Sequence, residues 1–503
     1  MKENYIKQSP MLTLPSLGGG VNSRLHGGAP ESDPWQGIIG TTSSDNPNSV
    51  VLDNARNVYV TGQDDGNSFI AKFDNAGALQ WKRKIFCYGY GQTKLHMHAG
   101  NTLYIIGTWY NSTYGYDSGW LAKINTGNGL FTWQKSIVNL QSYHMYFRGI
   151  CTDPSGNIYT IGWFGTGNNI SCITIKYDSS ANIQWAKTIG GSWWADLLRG
   201  RGIAYSPGDG SNGEGVVFTA DLDSYQYGGQ YYSSHPYVGK YDLNGNQQWG
   251  NAYANSSNHN CRINQYSQIH DNTVACDTSG HSFIVGGEFG SWNSYQTFIM
   301  RLNSLGTPQW VRQYGYTHNN TGTSIALDND ENIWVTYYED HPAASMGEYA
   351  HLIKLNRNTG EGGGQPPATP EALAHHSWGG GSYPTFQGAS KDSRFNSVQI
   401  DRKGYLYVVG RANNFLRASH GYEGAIWKFD PSNINKTTFG TNPYTQGIST
   451  PQNPNPYNYD QMSGFYTRPI TTHTTSTFTN ALNVLNATVA NQASTQTYTV
   501  NPW

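Results

Sequence analysis

The sequence predicts an all-β protein, a seven-bladed β-propeller closed by a strand from near the N-terminus. Three observations predict it. A two-part unit recurs seven times along the 503 residues. The composition is turn-rich, with 59 Gly and 14% aromatic residues but only 13% charged ones, about half the usual charged share. Finally, the last unit lacks the tryptophan-led strand of the others, while an unclaimed one stands at Trp35.

The first half of the unit is an Asp-containing turn followed by a short β-branched or aromatic run, a strand signature. It reads LDNARNVYVTG, AGNTLYIIG, TDPSGNIYTIG, GEGVVFTA, CDTSGHSFIVGG, LDNDENIWVTY and IDRKGYLYVVG in chain order. The second half is a strand ending on a basic residue, at Lys72, Lys123, Lys176, Lys240, Arg301, Lys354 and Lys428. Repeated with the fold, these bases read as blade-to-blade contacts with snorkelling stems. Nine or ten residues later a Trp opens a further strand at Trp81, Trp133, Trp185, Trp249 and Trp310. Unit six is interrupted by EGGGQPPATPEALAHH before Trp378, and unit seven has no such Trp. Trp35 lies 18 residues before Asp53, the interval that separates Trp310 from Asp328. A ring latched by that strand has no loose first or last blade, whereas an open row would leave unpaired edges.

The unit, D-x-x-G-N-x-Y-x-x-G, then K-Y-D, then G-x-x-x-W, resembles the bacterial β-propeller repeat family over residues 35–440. The resemblance implies the fold and is nearly silent on function, because that family decorates many kinds of extracellular protein. Three regions follow: an N-terminal anchoring arm over 1–34, the propeller over 35–440, and a C-terminal tail over 441–503. From 471 onward the tail contains no Lys, Arg, Asp or Glu. Phe478, Leu482, Leu485 and Val489 are spaced 4, 3 and 4, which predicts a short amphipathic helix and an assembly surface.

With strands A to D counted outward from the channel, the A–B and C–D turns share one face of the disc and are short. The B–C connections share the other face and are long. They are rich in Tyr, Trp, Gly, Ser and Asn, a mixture of stiff amphipathic contact area and adaptable hydrogen bonds. The expected contact residues are Trp109, Tyr110, Tyr114 and Tyr116 in unit two. Units four and five supply Tyr225, Tyr227, Tyr231 and Tyr232, and Trp292 and Tyr295.

The net charge of -2 leaves no basic field of the kind nucleic acid requires. Cys87, Cys151, Cys172, Cys261 and Cys276 are an odd set without CxxC spacing, and read as buried free thiols. There is no apolar signal segment and no run of ~18 apolar residues, so a soluble, non-exported chain is expected. Asp328, Asp330 and Asn332 alternate as in a calcium loop but occupy the ordinary repeat turn. His96 and His98 share one strand face but lack a third ligand nearby. No metal or cofactor is expected. The segment Lys123 to Trp133 resembles the tryptophan-docking motif of quinoprotein dehydrogenases, but has Asn125 where an Asp is required. No nucleophile elbow, P-loop or zinc-protease pattern occurs.

These features lead to the expectation of a non-enzymatic structural protein of a bacteriophage particle, in the tail, baseplate, fibre or capsid surface. Such a virion protein needs no export signal. Its two ends would anchor it to other virion proteins in a symmetric assembly, and its aromatic loops would meet a neighbouring protein or a host surface glycan. The alternatives are a freestanding bacterial glycan-binding propeller and a polysaccharide-degrading enzyme, the latter disfavoured because carboxylates are few.

Overall fold

The strands of this protein sort into seven antiparallel sheets built from strands consecutive in the chain, apart from the closing blade; in blade 5 two short strands, Cys261–Arg262 and Val274–Cys276, share the inner position. The computed structural model describes residues 35–39, 45–64, 66–85, 93–112, 115–139, 143–167, 169–190, 197–225, 231–255, 261–263, 271–289, 295–314, 319–340, 348–360, 371–376, 393–413 and 422–430. Of the tail it describes 465–468, 476–477, 482–486, 491–493 and 500–501. Blades 1 to 6 occupy 46–85, 94–139, 144–189, 197–255, 261–314 and 319–376, and blade 7 joins 393–429 to the strand Trp35–Ile39.

That strand pairs antiparallel with Tyr422–Phe429, with Trp35 opposite Lys428. Ring closure by the N-terminal strand is thereby realised. Seven hydrophobic clusters fill the seven seams between neighbouring blades; the closing one joins Trp35, Val60 and Phe73 to Tyr407 and Ile426. The core is therefore a circle of inter-blade seams.

Two local devices set the repeat. Where the A–B turn carries an Asp, that residue organises the turn: Asp153 Oδ1 accepts the N–H groups of Ser155 and Asn157, and its Oδ2 accepts the Asn157 amide and the Tyr159 hydroxyl. Asp328 is used the same way by Asp330, Asn332 and Trp334, which accounts for the calcium-like spacing. The Trp of strand D caps the next blade. Trp35, Trp81, Trp185, Trp249 and Trp310 each donate their indole N–H to a backbone carbonyl in the following blade's C–D turn. Under Trp249 lies Gly306, at φ +77, where an added Cβ would stand 2.6 Å from the indole ring. The G-x-x-x-W spacing is thus a Trp-on-Gly contact between blades. The strand C bases join it: Lys72 and Lys176 donate to the same carbonyls as Trp81 and Trp185, at 3.2 and 2.8 Å.

The inner strands carry bulges. Register shifts leave Asn48, Arg148, Arg201, Thr323 and Asn396 unpaired at one level of blades 1, 3, 4, 6 and 7. Such bulges re-aim a side chain.

The tail corrects one expectation. Leu482 and Leu485 lie on a strand, Leu482–Asn486, paired with Phe131–Asn139 of blade 2, and not on a helix. Phe478 and Val489 lie outside the described residues. The outer edge of each blade offers unpaired backbone groups, and local helical spacing yields to them. Phe465–Arg468 adds to blade 4, Ser476–Thr477 to blade 3, Asn491–Ala493 to blade 1 and Val500–Asn501 to the closing strand of blade 7. The tail forms a belt that visits blades 4, 3, 2, 1 and 7 in turn. The arm over 1–34 lies outside the described residues.

Candidate functional site

Charge gathers where the inner strands of blades 3, 4 and 5 leave the elaborated face. In blade 3, strand His144–Thr152 alternates polar and apolar residues, so His144 and Tyr146 share one side. The bulge then turns Arg148 out of the ladder. Asp117, at the start of strand C of blade 2, reaches across the seam to this row. The Tyr146 hydroxyl donates to its Oδ2 at 2.6 Å, and His144 Nδ1 lies 3.1 Å from the same oxygen. The Asp117 backbone N–H also points at His144 Nδ1, at 3.2 Å. One nitrogen cannot serve both contacts; the carboxylate is the stronger partner and fixes the proton on Nδ1. Nε2 then keeps a lone pair on a ring whose side chain is 39% exposed.

Tyr146 stacks on Trp163 with ring centroids 4.0 Å apart. The Arg148 guanidinium sits 5.6 Å from the other centre of this group, the Tyr146 ring. Arg148 makes no hydrogen bond or ion pair among the described residues, and its Nε is buried without an acceptor. Burial, then the neighbouring Arg201, push its pKa down to about 9, so it remains charged at neutral pH. In blade 4 the Arg201 Nε donates to Asp221 at 2.6 Å. Burial pushes the Asp221 carboxyl up while Arg201 pulls it back. Arg199 pairs with Asp223, which also meets Arg262 of blade 5 at 3.2 Å.

Beneath this group the channel is barred. Lys94 of blade 2 meets Asp271 of blade 5 at 3.4 Å, and Asp271 also takes the Ser397 hydroxyl of blade 7. Burial pushes Lys94 down to about 8 despite Asp271.

The disc shape has counterparts among solved structures. An ulvan lyase of polysaccharide lyase family PL25 is 10% identical at a TM-score of 0.47, over 78% of this chain and 94% of that one. The polysaccharide lyase Uly1 is 8% identical at 0.41, over 76% and 90%. The extracellular domains of Drosophila Semaphorin 1b, also 8% identical at 0.41, match over 79% and 87%. No family model and no curated protein matches the chain.

The expectation of a non-enzymatic bacteriophage component is corrected here. The lyases named above are carbohydrate-active enzymes and none of the three structures is a virion protein. At such low similarity the likeness assigns no activity to this chain. The argument from scarce carboxylates also fails on its own ground: scarcity along the chain did not prevent Asp117, Asp221 and Asp223 from converging on one face.

The expected contact residues divide. Tyr110 is 44% exposed, opposite Asp117 in the blade 2 ladder, and Trp109 packs partly into the seam. Tyr116 is 4% exposed and supports the site edge-on against His144, so it is no contact residue. Tyr225, Tyr231, Tyr232 and Tyr295 stand on strands, with side chains outside the described residues, as are Tyr114, Tyr227 and Trp292 entirely. His96 and His98 both meet the Thr152 hydroxyl, at 2.8 and 3.0 Å. Cys151, Cys172 and Cys276 are buried free thiols. His144, Tyr146, Arg148, Arg199 and Arg201 escaped the sequence reading because they lie in or beside the inner-strand bulges rather than in the long loops, and Trp163 because it stands on the strand facing Tyr146. The alternation in HMYFR and the LLRGRG run were their signals.

Proposed function

We propose that the elaborated face binds an acidic polysaccharide and cleaves it by β-elimination. The observation that carries this reading is Arg148, a half-buried cation that has no carboxylate of its own among the described residues, beside the hydrogen-bonded set Asp117, His144 and Tyr146. A buried charge left unpaired is costly, and an anionic sugar supplies the missing partner. The Asp221 and Asp223 carboxylates on this face are engaged by arginines, so these two do not serve as the free pair that glycoside hydrolysis needs. Cations in excess beside a base suit elimination, in which a carboxylate must be neutralised before the adjacent carbon gives up its proton.

His144 Nε2 takes the proton next to the uronate carboxylate, which Arg148 holds. The electrons of that C–H bond form the new ring double bond, the bond to the leaving sugar oxygen breaks with its pair going to the oxygen, and the oxygen receives the Tyr146 hydroxyl proton. Asp117 Oδ2 touches both His144 and Tyr146, so it can pass the imidazolium Nδ1 proton back to the phenolate. Exchange with water at the exposed ring restores the starting tautomer. Trp163, stacked on Tyr146, completes an aromatic wall for a sugar face.

The test is incubation with uronate-bearing polysaccharides, following ultraviolet absorbance of the unsaturated product. Tyr146→Phe and His144→Ala should each lower kcat by about 10²-fold or more, and Arg148→Ala should abolish both binding and turnover. New reducing ends without unsaturation, or binding without any product, would overturn the reading.

A further inference from the structure

We propose that Arg199 and Arg262, held by Asp223 across the seam of blades 4 and 5, form a second anion subsite for the sugar next to the one being cleaved. This rests on the reading above and narrows its substrate to polymers charged on neighbouring residues. Asp223 Oδ2 takes the Arg199 guanidinium and its Oδ1 lies 3.2 Å from Arg262 Nη2. The Ser234 hydroxyl donates to Oδ1 at 2.6 Å, so the carboxylate is pinned from three sides. Two positive charges therefore share one negative charge. Each guanidinium has five donors and makes no other hydrogen bond among the described residues, so most of that capacity is unspent.

The side chains are placed to use it. Arg262 is 40% exposed and Arg199 26% exposed. A surface ion pair that served stability alone would need one arginine for one carboxylate, and exposed pairs contribute little. Arg199 is also close enough to Arg201, and Arg201 to Arg148, for each to oppose the charge of the next. A row of guanidinium groups, with Asp221 and Asp223 set between them, thus runs from the proposed reacting centre to the blade 5 edge. Asp223 is the positioning residue: it sets the spacing of two forks that recognise carboxylate or sulfate oxygens bidentately.

The experiment compares two acidic polysaccharides, one charged on every sugar and one on alternate sugars, using the full chain. Arg262→Ala should raise KM for the fully charged polymer about tenfold, with kcat within about twofold. Asp223→Ala should do the same, and Arg262→Lys should recover only part of the loss because a point charge lacks the fork. For the alternately charged polymer the KM shift should be under about twofold. Equal KM shifts for both polymers, or a loss confined to kcat, would overturn the subsite. Binding of both polymers to the Tyr146→Phe variant is measured by calorimetry in parallel. Charge-dependent discrimination that disappears with Arg262→Ala supports the subsite even if no elimination is found; discrimination that survives that change overturns it.

Discussion

Lys94 illustrates how much a single residue at the axis controls. It is held by Asp271 from three blades away, and burial still lowers its pKa to about 8 from the ordinary 10.5. Between those values the unfolded chain binds a proton that the folded chain does not. The contribution of Lys94 to stability therefore rises with pH across this window and is at its most unfavourable below pH 8, where both states are charged. The denaturant midpoint of the natural chain should climb more steeply, or fall less, from pH 8 to 10 than that of Lys94→Met. Parallel midpoints for the two proteins would show that the buried amine titrates normally. The charged residues were the least legible part of the sequence. Asp117, His144 and Arg148 are spread over 32 positions and two blades, and only the ring brings them together.

At the scale of the element, the strand D tryptophan and the turn glycine beyond it are one unit divided between two blades. Gly306 needs its positive φ, and the Trp249 ring occupies the space a side chain would take. Gly306→Ala should cost about 1–3 kcal/mol, read as a lower urea midpoint with quenched or shifted tryptophan emission. Ala181 holds φ 66 at the equivalent turn of blade 3, so backbone strain alone is tolerable; the larger loss at Gly306 should come from displacing Trp249. An unchanged midpoint would remove the contact from the account of blade spacing. These units were legible because each is short and repeats. The bulges were not, since the inner strands become buried on both sides just past them, so the change of phase leaves no mark in the pattern. The tail misled for a related reason: its spacing of 4, 3 and 4 fits a helix, but the open edges of finished blades decide, and local propensity cannot report them.

At the scale of the molecule, the belt joins elements that the ring itself leaves apart. Its final strand lies against Gln36 and Gly37, so the closing strand is held between Tyr422–Phe429 on one side and Val500–Asn501 on the other. A chain ending at residue 464 should still form its propeller, because the described residues of all seven seams belong to the ring. It should unfold several-fold faster, lose several degrees of Tm and aggregate more readily, since bare outer edges invite pairing with other chains. Unaltered unfolding kinetics would reduce the belt to decoration.

The bar across the axis bears on what kind of cut such a disc can make. Lys94, Asp271 and Ser397 meet in the middle from blades 2, 5 and 7, so a polymer cannot be threaded through the hole like yarn through a bead. It must drape over one surface and depart from the same side. If the proposed elimination is its activity, the chain would have no need to find a loose end of its substrate, and would snip interior links at random intervals.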